Sequence, residues 1–153
     1  MAYLLDSGIL LRLANVTDPL HTVVRQAVDV LIKQEVDCFF TSQNMAEFWN
    51  VATRPVANNG LELPAVTVVQ MFEKSVETIC DILSEQDTLH DVYKDLLTKY
   101  NVVGKQVHDA RLVAMMLTWQ IDNILTLNER NFQRFAPEGI TIVSPQSLVS
   151  PGP

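Results

Sequence analysis

The sequence is poor in cysteine, glycine and proline. Its two cysteines, Cys38 and Cys80, lie inside apolar stretches. This is typical of small buried side chains in a reducing compartment, and it excludes both a disulfide framework and a metal site made of cysteines. With only five glycines and seven prolines among 153 residues, the chain is neither collagen-like nor of low complexity.

Long hydrophobic runs are also missing. No apolar stretch approaches the roughly 18–20 residues of a membrane span. The first residues, MAYLLDSGILLRLAN, are apolar, but no basic segment precedes them and Asp6 interrupts them, so they do not have the pattern of a signal peptide. We therefore expect a cytoplasmic protein without a membrane anchor.

The sequence has no surplus of basic residues. It contains 11 lysines and arginines against 18 aspartates and glutamates, which gives a formal net charge of −7. That balance argues against a generic nucleic-acid coat, which binds through a broad basic face. It does not exclude a nuclease, because carboxylates that hold a divalent cation make the net charge more negative.

What the chain does have is enough apolar sequence for one core. Residues are 48% hydrophobic and 19% charged, and a chain of this length forms one domain. We assign residues 1–148 to a single domain and 149–153 to a flexible C-terminal tail. Short apolar runs alternate with longer helical patterns, and strands separated by helices pair in parallel through right-handed crossovers. The sequence thus predicts an α/β protein, a three-layer α/β/α sandwich with a mainly parallel sheet of about five strands.

The alternation of strands and helices also locates a site. Strands are expected at residues 2–5, 38–41, 78–83, 124–127 and 140–143. Helices are expected at residues 9–13, 19–34, 43–53, 64–75, 88–99, 106–119 and near 129–135. In such sheets ligands bind at the carboxyl ends of the strands, where the strand order reverses. The residues just after each strand are therefore the candidates for function.

Four oxygen-bearing side chains fall at strand ends or helix starts. They are Asp6 after the first strand, Glu47 in the helix after the second, Asp109 at the start of helix 106–119, and Asn128 after the fourth strand. Clustered carboxylates repel one another and raise each other's pKa. A hard cation such as Mg²⁺ or Mn²⁺ relieves that repulsion and prefers oxygen ligands. A divalent-cation site is one interpretation of this pattern.

Helix capping is the other interpretation of the same residues. Asp6 could cap the helix that follows it, and Asn44 with Glu47 has the spacing of a capping box. Asp109 could complement a helix dipole, and Asn128 could cap the short helix near 129–135. From the residues alone, metal binding and capping both remain open.

Four ordered segments carry a resemblance to a known family. They are Leu4–Gly8 (LLDSG), Thr41–Phe48 (TSQNMAEF), His108–Ala114 (HDARLVA) and Ile124–Phe132 (ILTLNERNF). In this order they resemble the motifs of the PIN-domain family, the metal-dependent ribonucleases that include the VapC-type toxins of bacterial toxin–antitoxin pairs. The resemblance of any one segment is weak evidence for the family. The four segments in series span almost the whole chain and are more specific.

The resemblance implies hydrolysis of phosphodiester bonds in RNA. It implies that Asp6, Glu47 and Asp109 are catalytic metal ligands and that Asn128 is a further ligand, with Mg²⁺ or Mn²⁺ as the cation. Ser7 and Thr126 would orient the carboxylates, or would merely satisfy nearby backbone groups. RNA as substrate, a cognate antitoxin as partner and a homodimer are implied in the same way.

The fourth segment departs from the family pattern. Asn128 and Asn131 stand where the family often has acidic residues. An amide can ligate through its carbonyl oxygen but brings no charge, so the site holds three carboxylates and binds a second metal more weakly. A catalytically impaired PIN-like module that binds RNA or protein is therefore an alternative. A nucleotide-binding or flavodoxin-like protein is disfavoured, because only Gly8 follows the first strand where a glycine-rich phosphate loop would be needed.

Basic residues and a histidine lie near these segments. His108 adjoins Asp109, but neighbours on a helix point about 100° apart. We therefore expect His108 on the surface or behind the ligands, not on the metal. The basic residues near the motifs could contact phosphate groups or could simply be solvated surface charges. They are Arg12, Arg54, Lys105, Arg111 and Arg130.

Overall fold

The computed structural model describes residues 1–149, whose strands form one five-stranded sheet with every pair parallel. The order across the sheet is β3-β2-β1-β4-β5. The predicted parallel sheet of about five strands is confirmed. The strands are Ala2–Leu5 (β1), Asp37–Thr41 (β2), Asp81–Leu83 (β3), Asn123–Leu125 (β4) and Thr141–Val143 (β5).

Helices connect the strands and cover the sheet. They are Ser7–Ala14 (α1), His21–Lys33 (α2), Ser42–Thr53 (α3), Ala65–Ser75 (α4), Leu89–Lys99 (α5), Gln106–Trp119 (α6), Glu129–Phe132 (α7) and Pro145–Val149 (α8). Short 3₁₀ helices occur at Val56–Asn58 and Gln133–Glu138. No helix in this part of the chain is long and apolar enough to cross a membrane.

Several element boundaries differ from the sequence prediction by one to three residues, and the clearest differences are at β3 and α8. β3 begins at Asp81 instead of residue 78, because the N–H groups of Ile79 and Cys80 bond to the carbonyl of Val76 in the turn after α4 and cannot pair with β2. Helix α8 was not predicted, and it includes Val149, the first residue of the expected tail. The rest of that tail, residues 150–153, lies outside the described residues.

The core lies on both faces of the sheet. Along β1 successive side chains point to opposite faces, so Tyr3 and Leu5 pack in one apolar cluster with α1, α2, α3 and α4. Leu4 packs in the other cluster with α5 and α6. Because each face is covered by helices, the strands are apolar nearly throughout. The predicted three-layer α/β/α sandwich is confirmed.

The strand order reverses between β1 and β4. The chain runs from β1 outward to β2 and β3, and β4 then pairs with the other side of β1. The N–H of Asp6 donates to the carbonyl of Leu125 across 3.0 Å, which ties the carboxyl ends of these two strands together. Open parallel sheets bind their ligands at this kind of position.

Candidate active site

Asp6 lies directly after β1, at the point where the strand order reverses. Its Oδ1 accepts the N–H of Ser7 across 2.8 Å, which caps α1. Its Oδ2 accepts the hydroxyl of Thr126, also across 2.8 Å. The residue is only 8% exposed, and this burial raises the pKa of its carboxyl against the lowering effect of both hydrogen bonds, with Glu47 adding to the rise. Asp6 is thus a helix cap and a buried acid at once.

Thr126 fixes this acid from the neighbouring strand end. Its side chain is fully buried, and its hydroxyl also accepts the N–H of Asn128 across 2.9 Å. Asn128 itself is exposed, and its amide makes no capping hydrogen bond to α7. The capping role considered for the Asn128 side chain is therefore absent from the structure, and the amide is free to face solvent.

Asp109 reaches the same site from the first turn of α6. Burial raises the pKa of its carboxyl to about 6, with further increases from the charges of Asp6 and Glu47 and a small opposing effect of His108. A carboxyl whose pKa depends on two others lies within electrostatic reach of both. The charges of Asp6 and Glu47 therefore act on Asp109 across the start of α6.

Glu47 lies on the exposed face of α3. Its Oε1 accepts a hydrogen bond from Nε2 of Gln43, across 3.1 Å. The capping box of α3 joins Thr41 to Asn44, so the alternative box between Asn44 and Glu47 does not form. Glu47 does not cap the helix, and its charge contributes to the raised pKa values of Asp6 and Asp109.

Asn44 is a buried polar residue whose role the sequence analysis missed. Its Oδ1 accepts the N–H of Thr41 at 2.8 Å and the hydroxyl of Thr41 at 2.9 Å. Its Nδ2 donates to Oγ of Ser7 across 3.2 Å, which joins the starts of α3 and α1. Ser7 therefore orients Asp6 through its backbone N–H, while its hydroxyl is bound by Asn44. The spacing Thr41-x-x-Asn44 directly after a strand is typical of a capping box and could have indicated this role of Asn44.

Gln43 connects the two helices that carry Glu47 and Asp109. Beside its bond to Glu47, its Nε2 donates to the carbonyl of His108 across 2.9 Å. Its Oε1 accepts a hydrogen bond of 3.1 Å from Arg111, and Arg111 also pairs with Glu85. The Arg111 guanidinium is thus engaged by Gln43 and Glu85, which disfavours the phosphate contact considered above.

The three carboxylates fit a hard divalent cation in donor type and in charge. They offer oxygen ligands, and the raised pKa values of Asp6 and Asp109 include a repulsion that a cation relieves. Within residues 1–149, however, no group of three or more His, Cys, Asp or Glu side chains is arranged so that it could hold a metal ion as it stands. Glu47 is the adjustable member of the set, since it is exposed while Asp6 is fixed by two hydrogen bonds.

The described chain has the PIN-like α/β/α fold that the motifs predicted. No protein-family model matches the sequence, and no curated protein matches it significantly. Solved structures of VapC toxins do match. One is VapBC2 from Rickettsia felis, solved bound to a DNA fragment from its promoter. The sequence identity is 15% and the TM-score is 0.67, and the match covers 94% of this chain and 98% of that chain.

A second solved structure gives the same result. It is VapC20 from Mycobacterium tuberculosis, described as a toxin that cleaves the sarcin–ricin loop. Its identity is 14% and its TM-score 0.61, and the match covers 91% of this chain and 96% of that chain. At these identities the likeness establishes the fold, and the activity of this chain has to be argued from its own residues.

Proposed function

We propose that this protein is an endoribonuclease that hydrolyses phosphodiester bonds in RNA with the help of Mg²⁺ or Mn²⁺. The observation that carries the proposal is the cluster of Asp6, Glu47 and Asp109 at the reversal point of the sheet, where burial and the neighbouring acids raise the pKa of Asp109 to about 6. The PIN-like fold shared with the two VapC structures supports the same activity.

Asp6, Glu47 and Asp109 would hold the cation, and Asn128 would add its amide oxygen. When bound, such a cation lowers the pKa of a water molecule and neutralises charge on the phosphate. Each carboxylate oxygen of Asp6 accepts one hydrogen bond and keeps a further lone pair for a cation. No protein nucleophile is required.

The residues behind the acids keep them in place. Thr126 and the N–H of Ser7 bind the two oxygens of Asp6, so its orientation does not depend on a bound ion. Gln43 joins Glu47 to the backbone of α6 just before Asp109. Above about pH 6 Asp109 is mostly ionised, so at neutral pH its carboxylate is available as a ligand.

We further propose that the protein is the toxin of a toxin–antitoxin pair, with a cognate antitoxin as partner and a homodimer as its assembly. The structural likeness to VapBC2 and to VapC20 supports a toxin. The two buried free cysteines, Cys38 and Cys80, are compatible with a cytoplasmic location.

A catalytically impaired PIN-like module that binds RNA or a protein is the second candidate. Two observations favour it: an uncharged Asn128 at the fourth position, and the lack of a ready-made metal group among residues 1–149. The two candidates differ in whether a divalent cation produces cleavage.

Cleavage of a random-sequence RNA pool tests the choice between these candidates. The wild-type protein is incubated with the pool in Mn²⁺ and in EDTA, beside Asp6→Asn and Asp122→Asn. Asp122 is exposed and lies at the opposite end of β4, so its variant is the matched control. The nuclease proposal predicts Mn²⁺-dependent cleavage by wild type and Asp122→Asn only. RNA binding without cleavage in any metal would support the impaired module.

A further inference from the structure

A groove lies between α3 and α6 beside the carboxylates. It encloses about 390 Å³ and is lined by Gln43, Ala46, Glu47, Asn50 and His108. This volume is within the roughly 300–1,000 Å³ of small-molecule sites. Glu47 belongs both to the groove and to the candidate metal site, so a ligand in the groove is next to the reacting position.

The walls of the groove are fixed by the fold. Gln43, Ala46, Glu47 and Asn50 are spaced i, i+3, i+4 and i+7 and therefore share one face of α3. His108 forms the opposite wall from the first turn of α6. The hydrogen bond from Gln43 to the carbonyl of His108, 2.9 Å long, holds the two walls at a set separation.

Two side chains in the groove have unused binding capacity. Within residues 1–149, neither the Asn50 amide nor the His108 ring takes part in a hydrogen bond. The amide offers a donor and an acceptor, and the imidazole offers a flat face and ring nitrogens. Ala46 supplies an apolar surface between them.

This combination matches the chemistry that recognises an unpaired RNA base. Proteins read single-stranded RNA by stacking a base on an aromatic or histidine ring and by hydrogen bonds to the base edge. We infer that the groove binds one unpaired nucleobase next to the phosphodiester that is cleaved, with His108 as the stacking surface and Asn50 as the group that reads the base edge. The inference rests on the proposed ribonuclease function.

Binding without cleavage tests this inference directly. The probes are fluorescein-labelled A₆, C₆ and U₆ oligoribonucleotides, titrated in EDTA and followed by anisotropy. We expect wild type to prefer one of the three, and His108→Ala and Asn50→Ala to bind that oligonucleotide about tenfold more weakly, the loss expected for one base contact. His108→Phe keeps the stacking surface and should retain the affinity.

Matched controls come from the same chain. His90 on α5 and Asn58 are exposed residues outside the groove, so His90→Ala and Asn58→Ala should bind like wild type. Equal affinity of wild type for all three oligonucleotides, or unchanged binding by the groove variants, would overturn the inference.

A parallel cleavage assay separates this inference from the proposed function. In Mn²⁺, the groove variants should cleave a random RNA pool with a raised KM and a flattened base preference beside the cleaved bond, at an unchanged Mn²⁺ affinity. Cleavage with the wild-type preference and KM would refute the groove while leaving the nuclease proposal intact. Selective binding without any cleavage would refute the nuclease proposal while leaving the groove intact.

Discussion

The Thr126 hydroxyl donates a hydrogen bond of 2.8 Å to Oδ2 of Asp6, a residue 120 positions earlier in the sequence. The bond joins the residue after β4 to the residue after β1, at the point where the strand order reverses. Because the same hydroxyl accepts the N–H of Asn128, one buried side chain orients the central acid and the turn that carries the fourth candidate ligand.

Thr126→Val should therefore weaken both the fold and the cation site. The substitution removes a donor from Asp6 and leaves the Asn128 N–H without its acceptor, which costs about 1–3 kcal/mol in the free energy of unfolding. Urea unfolding measures this loss, and calorimetry should show weaker Mn²⁺ binding. Thr126→Ser keeps the hydroxyl and should restore the affinity. Equal Mn²⁺ affinity in wild type and Thr126→Val would mean that the bond does not orient a ligand.

Asp6→Asn should stabilise the protein in EDTA while it abolishes cleavage. Burial raises the pKa of Asp6, so its ionised form is held at a cost that the neutral amide avoids. A gain of about 1 kcal/mol would raise Tm by roughly 2–4 °C in a domain of this size. Thermal unfolding in EDTA checks the prediction, with Asp122→Asn as control. A lower Tm for Asp6→Asn would show that the charge is compensated in the folded state.

The stability of the metal-free protein should fall as pH rises through the range set by Asp109. Its pKa is raised from the ordinary aspartate value of 3.8 to about 6 in the folded protein. Between these values the folded state binds more protons than the unfolded state, so the free energy of unfolding declines with rising pH. Because the side chain is half-buried, solvent screening limits the decline to roughly 1–2 kcal/mol.

Urea unfolding in EDTA at several pH values between about 3 and 7, a range that brackets the two pKa values, measures that decline. Asp109→Asn cannot ionise, so its stability should depend less on pH over the same range. If the two proteins show the same pH dependence, Asp109 does not titrate with a raised pKa in the folded state.

Asn128→Asp should tighten Mn²⁺ binding. Asn128 is exposed and its amide makes no capping hydrogen bond, so the substitution adds a fourth carboxylate without breaking a contact that stabilises α7. Calorimetry on wild type and Asn128→Asp measures the change, and Asn58→Asp, at an exposed position outside the site, serves as the control. Unchanged Mn²⁺ affinity would exclude residue 128 from the cation site.

The sequence was sufficient to predict the parallel sheet. Alternating apolar strands and amphipathic helices predict parallel pairing, and parallel pairing places Asp6 and Thr126 at one edge of the sheet. Local hydrogen-bonding competition was harder to foresee. In the turn after α4, the N–H groups of Ile79 and Cys80 bond to the carbonyl of Val76, which shortens β3. The five-residue helix α8 is too short to show the hydrophobic periodicity of a helix.

The supporting contacts of the site could not be predicted in the same way. Gln43 bonds to Glu47 within α3, which is a local pattern, but its bonds to His108 and Arg111 depend on how α3 and α6 approach each other. The groove between these helices follows from that approach. Spacing along one chain indicates which residues share a helix face, and only the packing of two helices shows what those faces enclose.

The decisive experiment for a cation-dependent ribonuclease is Mn²⁺ titration calorimetry on wild type and on the double variant Asp6→Asn/Asp109→Asn. Cleavage of a mixed RNA pool is followed in parallel. We expect Mn²⁺ binding and Mn²⁺-dependent cleavage by wild type, and the loss of both in the double variant, which should remain folded. Wild-type protein that binds no Mn²⁺, or a double variant that still cleaves RNA, would contradict this expectation.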